Sequence, residues 1–168
     1  MRKEKTMEIE RKFILKAFPE NLEEETRYTI FQYYLSCDPY VRVRSKLKDG
    51  ETTYKLTIKG KGTLSRVEVE FDMDSESFSE LISLCEYEPV RKDMRIYRLP
   101  DGKIFECSNV DKGTENEFFY GEVEFEDENS ALSFSPPFSF LREVTYDDSF
   151  HMNRYWQTTR IDGKSFKI

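Results

Sequence analysis

Hydrophobic and polar residues alternate through most of this chain with the two-residue period typical of β-strands. The alternation predicts eight strands and a short ninth, at about 7–16, 26–36, 39–48, 51–60, 63–73, 90–99, 103–110, 117–127 and 142–146. Turn sequences connect consecutive strands at Asp49-Gly50, Gly60-Lys61-Gly62 and Pro100-Asp101-Gly102. Because strands joined by tight turns are antiparallel, the pattern predicts a mainly antiparallel β structure.

A few helices accompany the strands. Apolar residues recur at helical spacing from Phe78, and Asp74 or Ser75 is a suitable N-cap for that segment. The predicted helices cover about 74–86, 128–135 and 147–156. The fold class is therefore mainly β, or α+β, in a single domain over 1–168. Residues 1–6 are expected to be a flexible N-terminal extension.

Several strands carry one sign of charge on one face. Side chains two residues apart in a strand share a face. The same-sign pairs are Glu8 and Glu10, Arg42 and Arg44, Lys55 and Lys59, Glu68 and Glu70, and Glu122 and Glu124. An ordinary sheet with its charges in water normally mixes the two signs, because like charges on one face repel. The rows therefore favour a different fold, in which bound ions complete them.

A closed antiparallel β-barrel of about eight strands satisfies this requirement. Its interior is wide enough for one small ligand, and the charged rows then line a tunnel with a basic wall and an acidic wall. The apolar residues between the charges face outward and need cover. The 74–86 helix, the C-terminal segment or a second subunit can supply it, which favours a homodimer.

Composition narrows the function. The net charge of −7 argues against a nonspecific nucleic-acid binder, and no nucleic acid is expected as a partner. No apolar run reaches the roughly 20 residues of a membrane span. Cys37, Cys85 and Cys107 have neither a zinc-site nor a disulfide spacing. A cytoplasmic protein without a membrane partner is expected.

The charged rows suit phosphoryl transfer. Carboxylates bind hard cations such as Mg²⁺ or Mn²⁺, whereas arginine and lysine bind phosphate oxygens. Phosphoryl transfer requires positioning and charge neutralisation more than a protein nucleophile. His151 is the one histidine, and we assign it and the cysteines structural roles.

Six segments in the same order resemble the CYTH superfamily, also called triphosphate tunnel metalloenzymes. EIERK at 8–12 is similar to its ExExK signature. The others are RVR at 42–44, LTIKG at 56–60, SRVEVE at 65–70, GEVEF at 121–125 and EVTYDDSFHMN at 143–153. The EIERKF start, the short length and the EVT ending look most like the small bacterial inorganic triphosphatases.

The resemblance implies a β-barrel tunnel, a divalent metal (Mg²⁺ or Mn²⁺) and a substrate that contains a triphosphate. The expected metal ligands are Glu8, Glu10, Glu122, Glu124 and Glu143. The expected substrate-binding residues are Lys12, Arg42, Arg44, Lys55, Lys59, Arg66, Lys92 and Arg95. Glu8, Glu10, Lys12 and Lys92 are the expected catalytic residues, with Glu68 and Glu70 supporting them.

Two positions depart from the family pattern. The sixth strand of the family usually carries K-x-R, but here Met94 follows Lys92 and Arg95 comes one residue late. The seventh strand usually carries an Asp where this chain has Ser108. Either a bulge turns Arg95 inward or the tunnel has lost one ion pair, and we favour the second interpretation.

The leading hypothesis is a metal-dependent triphosphatase that acts on inorganic tripolyphosphate or on a small organic triphosphate, such as a nucleotide or thiamine triphosphate. Two alternatives remain open. A class IV-type adenylate cyclase needs the same triphosphate site together with a nucleoside pocket, for which we find no signature. A non-catalytic polyphosphate- or nucleotide-binding protein is compatible with Met94 and Ser108.

Overall fold

The computed structural model describes residues 3–168, and side chains from Met7 onward. Its strands are β1 Lys3–Leu15, β2 Glu23–Cys37, β3 Tyr40–Lys48, β4 Glu51–Lys59, β5 Ser65–Met73, β6 Val90–Arg98, β7 Ile104–Val110, β8 Phe118–Glu124 and β9 Arg142–Glu143. The first eight form a closed antiparallel barrel in the order β1-β5-β4-β3-β2-β6-β7-β8, and β9 pairs with β1 alone. The predicted fold class is confirmed.

Strand β1 closes the barrel because it pairs with a different neighbour along each half. Residues 3–9 pair with β5, and residues 10–15 pair with β8. We expected an extension over residues 1–6, but the strand already begins at Lys3. Residues 1 and 2 lie outside the described part of the chain. The ExExK segment therefore lies where β1 changes partners, which places it at the seam of the barrel.

The β3–β4 connection is a two-residue hairpin turn. Asp49 and Gly50 have φ angles of 50° and 84°. Such a turn requires positive φ at both central residues, which Asp and Gly tolerate better than most other residues. The tight turn keeps β3 and β4 in register, so that Arg44 pairs with Lys55 and Val41 with Ile58. The basic rows of the two strands consequently lie side by side on one face.

The outer face of β1, β7 and β8 packs under a segment that includes helix α2 (Glu128–Ser133). Phe105 stacks on Phe138 with ring centroids 4.0 Å apart. A Cβ on Gly121 of β8 would lie only 2.4 Å from the Phe105 ring, so glycine allows this close approach. The apolar rows of these strands therefore face outward, as predicted, and this chain itself covers them.

Helix α1 (Ser75–Ile82) covers the outer face of another part of the barrel. The Asp74 side chain caps it by accepting a hydrogen bond from the Ser77 backbone, and Phe78 packs on Tyr54 with centroids 4.7 Å apart. The helix ends before Cys85, which makes it shorter than predicted. Within the described residues, no helix has both the length and the apolar character required to cross a membrane.

The C-terminal segment closes one end of the barrel. A 3₁₀ turn at Asp148–Phe150 precedes helix α3 (Met152–Trp156). Trp156 packs on Tyr34 with centroids 5.2 Å apart, and Tyr155 packs on Phe118 at the same distance. The apolar side of α3 is therefore buried against inward-facing side chains at the ends of β2 and β8. This position differs from the sequence prediction, in which the segment is a candidate for covering the outer face.

Candidate active site in the barrel lumen

The lumen holds a cavity of about 290 Å³ that is lined mainly by charged side chains. Of the predicted site residues, it brings together Glu8, Glu10, Lys12, Arg42, Arg44, Lys59, Arg66, Glu68, Glu70, Lys92, Glu122 and Glu124. These residues come from β1, β3, β4, β5, β6 and β8, and in each strand they occupy alternate positions. The period-two rule explains why one face of every strand contributes to the same cavity.

The deep part of the cavity contains buried ion pairs around the ExExK segment. Glu8 accepts hydrogen bonds from Lys59 Nζ at 2.5 Å and from Arg66 Nε at 2.8 Å. Glu10 lies 2.7 Å from Lys12 Nζ and 3.1 Å from Arg66 Nη2. Buried charges require such partners, since an unpaired buried charge is costly. The interactions fix both carboxylates in position.

The two carboxyls of the ExExK segment have opposite pKa shifts. Burial raises the pKa of Glu8, but Lys59 and Arg66 outweigh it, so that the net shift is downward and Glu8 stays ionised. Burial and the nearby Glu122 carboxylate raise the pKa of Glu10 above its ordinary value, against the effect of Lys12. A cation beside Glu10 and Glu122 would reduce their repulsion.

Three carboxylates meet at a position suited to a divalent metal. One oxygen each of Glu8, Glu10 and Glu124 lies within 4.8 Å of the other two. Hard cations such as Mg²⁺ and Mn²⁺ prefer oxygen ligands of this kind and keep several waters. Glu124 is the exposed member of the three, and partial desolvation at the lumen wall, followed by the charge of Glu106, raises its pKa to about 7. These donors fit a divalent cation.

The raised pKa of Glu124 predicts a pH-dependent metal affinity. Below pH 7 the carboxyl is mostly protonated, and a cation must displace that proton in order to bind. We expect the apparent affinity for Mn²⁺ to decrease from about pH 8 to about pH 6, with proton release on binding. Calorimetric titrations in buffers of different ionisation enthalpy measure both effects. The Glu124→Gln variant is the control, and an equally steep dependence in that variant would contradict the assignment to Glu124.

Arg42 and Lys92 form a basic wall without carboxylate partners among the described residues. Arg42 donates to Gln32 Oε1 at 3.1 Å and to Tyr40 Oη at 3.4 Å, and its Nε has no hydrogen-bond partner in that part of the chain. Lys92 Nζ lies 5.7 Å from the centroid of the Tyr120 ring, and burial lowers its pKa. Both cations are buried and line the cavity, and because neither has a carboxylate partner among the described residues, an anionic ligand in the cavity can pair with them.

Towards the open end, Glu70 holds two basic side chains. It accepts hydrogen bonds from Arg44 Nη2 at 3.2 Å and from Lys55 Nζ at 2.9 Å. Glu68 similarly lies 2.8 Å from Lys59 Nζ. The two glutamates of β5 therefore hold basic side chains in place. Lys55 lines a shallower surface groove outside the central cavity.

Besides Lys55, two more predicted site residues lie outside the cavity, both on the outer face of the barrel, and their assignments are corrected. Arg95 packs over the Phe18 ring at 4.0 Å and lies 3.4 Å from Glu24. β6 pairs with β7 without a bulge from Lys92 to Arg98, so that the three-residue spacing leaves Arg95 on the outer face. This geometry matches the interpretation in which the tunnel lacks one ion pair.

Glu143 also faces outward. Both of its oxygens bind Arg11, at 2.8 and 2.7 Å, and Thr145 donates to it at 2.7 Å. In the β1–β9 pairing, Glu143 is the partner of Phe13, which belongs to the outer apolar cluster. Glu143 therefore orders the segment after β9, and the structure offers no role for it as a metal ligand in the lumen.

Other lumen residues were not among the predicted candidates. They are Ile30, Gln32, Tyr40, Lys46, Met94, Ile104, Glu106, Tyr120 and Met152. Alternation alone identifies several: Tyr40 and Lys46 continue the row of Arg42, and Glu106 precedes Ser108 by two residues. Met152 reaches the lumen from α3, which no strand periodicity indicates. His151 and the cysteines do not line this cavity, and burial raises the pKa of Cys107 to about 12.

Fold and site together define a tunnel protein whose carboxylate wall faces a basic wall, an arrangement that suits a polyanion bound together with a divalent cation. The chain belongs to the CYTH domain family, whose model matches residues 6–135. This finding confirms the resemblance that the sequence motifs indicated.

Comparisons with individual proteins also place the chain in this family. The inorganic triphosphatase of Nitrosomonas europaea is 36% identical over 143 residues, which cover 85% of this chain and 92% of the relative. The crystal structure of the inorganic triphosphatase NE1496 is 31% identical, with a TM-score of 0.60 and coverage of 89% and 94%. The structure of HpAC1 from Hippeastrum has a TM-score of 0.52 over 75% and 83% of the two chains; at 15% identity it shares the fold.

Proposed function

We propose that this protein hydrolyses inorganic tripolyphosphate or a small organic triphosphate inside the barrel, with the help of Mg²⁺ or Mn²⁺. The observation that carries the proposal is the opposition of Arg42 and Lys92, which lack carboxylate partners in the described structure, to three converging carboxylates. A linear triphosphate complements the cations, and a metal complements the carboxylates. The relatives named inorganic triphosphatase support the same assignment.

The carboxylates and the basic side chains would have different roles. Glu8, Glu10 and Glu124 would hold the metal, and Glu122 is a further candidate ligand. A divalent metal, when bound, polarises phosphoryl oxygens and lowers the pKa of water. Lys12, Arg42, Lys59, Arg66 and Lys92 would bind and orient the phosphoryl oxygens, as Arg44 would nearer the mouth. Hydrolysis breaks the bond between the terminal phosphorus and the bridging oxygen, and water supplies the new oxygen.

Charge neutralisation gives the basic wall its catalytic role. Negative charge is spread over the phosphoryl oxygens in the transition state, and preorganised donors in a dry site stabilise it strongly. Arg42 and Lys92 are 6% and 3% exposed, so water screens them little. Lys12 is held against Glu10, which fixes the direction of its ammonium group.

A phosphate-release assay tests the proposal. Tripolyphosphate, ATP, GTP and thiamine triphosphate are compared under Mg²⁺, Mn²⁺ and a chelator. We expect release from at least one substrate that disappears with the chelator. Chromatography of the ATP reaction separates ADP from cyclic AMP and thereby distinguishes a triphosphatase from a cyclase. Tight tripolyphosphate binding without release under either metal would instead indicate a non-catalytic binder.

We also propose that the protein is a homodimer in the cytoplasm. Its three free cysteines suit a reducing compartment. On the outer face of the β1–β5 pair, the register partners Met7 and Val67 are 58% and 41% exposed. Val69 and Ile58 are only half-buried beside them. A second copy could cover this apolar face.

We predict that the Met7→Glu/Val67→Glu double variant is a monomer. The two carboxylates would have to be desolvated in a dimer interface, but they remain in water in the single chain. Light scattering after size-exclusion chromatography gives the mass, and thermal unfolding controls for the fold. If both the original protein and the variant have the dimer mass, the interface lies elsewhere; if both are monomers, the dimer proposal is wrong.

A further inference from the structure

In the outer half of the lumen, the β6–β7 side carries the Glu106 carboxylate but no cation among the described residues. On β6 and β7, Met94 and Ser108 are register partners, and both are buried and uncharged. Ile30 and Ile104 line the cavity on the same side. Beyond Lys92, this side of the described lumen therefore offers no cation to a phosphate chain that extends towards the mouth.

Lys46 lines the same cavity from β3. It extends the row of Arg42 and Arg44 by another two residues towards the open end. In the sheet, Ile30 has Lys46 as its partner on one side and Lys92 on the other. Lys46 and Lys92 are thus two strands apart on the same rung, with their Cα atoms roughly 10 Å apart.

The ammonium group of Lys46 lies over Tyr28, which is on β2 between Lys46 and Met94. Its Nζ is 3.8 Å from the centroid of the Tyr28 ring, and Tyr28 is the register partner of Met94. An aromatic face holds a cation without neutralising it, unlike a carboxylate. No carboxylate of the described residues lies within ion-pair distance of Lys46, so its charge is available to a ligand.

We propose that Lys46 is a further substrate-binding residue, which binds the phosphoryl group nearest the mouth and replaces the cation that is absent at Met94. The inference rests on the proposed function, because it takes a triphosphate as the ligand. Tyr28 is a positioning residue whose ring holds the Lys46 ammonium group over β2. The two departures in β6 and β7 therefore leave the tunnel with a basic contact supplied from β3, two strands away from β6.

The test compares the kinetics of Lys46→Met with those of the original protein. Loss of a charge-assisted contact to a part of the substrate remote from the reacting bond should increase KM for tripolyphosphate by about tenfold and change kcat by less than about twofold. Lys46→Gln should show the same increase in KM, because it also removes the charge. In the Lys46→Met background, Met94→Arg should restore KM to within about threefold of the original value, because it places a cation at the same position.

Lys48→Met is the matched control. Lys48 is exposed and lies 5.7 Å from the same ring, so its removal should leave KM unchanged. An unchanged KM in Lys46→Met, or failure of Met94→Arg to restore it, overturns the inference. Calorimetric titration with tripolyphosphate in metal-free buffer measures binding without hydrolysis, so it tests the role of Lys46 independently of the proposed function. If the original protein binds tripolyphosphate but does not hydrolyse it, the proposed function is wrong. The ratio of the dissociation constants of Lys46→Met and the original protein then still shows whether Lys46 binds the substrate.

Discussion

Glu10→Gln should reduce metal-dependent phosphate release by at least about 100-fold, since even second-layer partners of metal ligands affect activity by 10–100-fold. Glutamine keeps the shape of glutamate and can still accept from Lys12 and Arg66, which lie 2.7 and 3.1 Å from Oε1. It lacks the negative charge that a divalent cation requires. The expected loss therefore reflects ligand chemistry and not a changed cavity shape.

Phosphate release at saturating tripolyphosphate and a Mn²⁺ titration measure this effect. We expect the variant to need more Mn²⁺ for half-maximal activity. Glu126→Gln is the matched control, because Glu126 follows β8 and is exposed. Unchanged activity in Glu10→Gln would exclude Glu10 as a metal ligand, and an equal loss in Glu126→Gln would indicate a general effect of surface charge.

Arg42→Met and Arg66→Met should have similar effects on activity and opposite effects on stability. Arg66 pairs with Glu8 and Glu10, so its removal leaves two buried carboxylates short of a partner. Breaking a buried pair in this way costs about 3–5 kcal/mol. Arg42 is held by Gln32 and Tyr40 and has no carboxylate partner in the described structure. Replacing this buried charge by an apolar side chain should increase the free energy of unfolding by on the order of 1 kcal/mol.

Chemical denaturation of the ligand-free proteins measures the stability difference, and kcat/KM for tripolyphosphate measures the catalytic loss. Both variants should lose at least about 100-fold in kcat/KM, because each removes a charged donor from a dry site. An increase in stability with a loss of activity identifies a residue kept for function at the expense of the fold. If Arg42→Met destabilises the protein as much as Arg66→Met, Arg42 has a structural role instead.

Much of this site could be predicted because strand alternation has a strict period. Glu8, Glu10 and Lys12 share a face whatever the neighbouring strands are, and so do Arg42 and Arg44. Same-sign rows then indicate an interior that binds ions, and the barrel follows from the number of strands. The lumen of the structure contains all of these side chains.

The errors arise where the period could not be applied. Glu143 belongs to a strand of only two residues. The face on which it lies depends on the register of this strand with β1, where Glu143 pairs with Phe13. A shift of one residue reverses the face, and sequence alone does not specify the register of so short a strand. Arg95 lies three residues from Lys92, and only a bulge could have brought it inward. Glu106 lies two residues before Ser108, outside the segments that resemble the family.

The position of the C-terminal segment also could not be predicted from the sequence. Its aromatic residues indicate an apolar side. The sequence does not show whether that side packs on the outer face of the barrel or on its end, because both surfaces are apolar. The choice depends on Tyr155, whose hydroxyl donates to Asp111 at 2.5 Å, and on Arg160, which lies 2.7 Å from the same carboxylate. These contacts join residues 44 and 49 positions apart.

Because α3 seals one end, the barrel is a blind passage with a single entrance. A triphosphate must enter terminal group first, and both hydrolysis products must leave by the route the substrate took. A longer polyanion cannot be threaded through the molecule, so it can be shortened only from an end and must withdraw before the next cut. Because bound product occupies the same cavity as the substrate, we expect pyrophosphate and phosphate to inhibit this protein competitively.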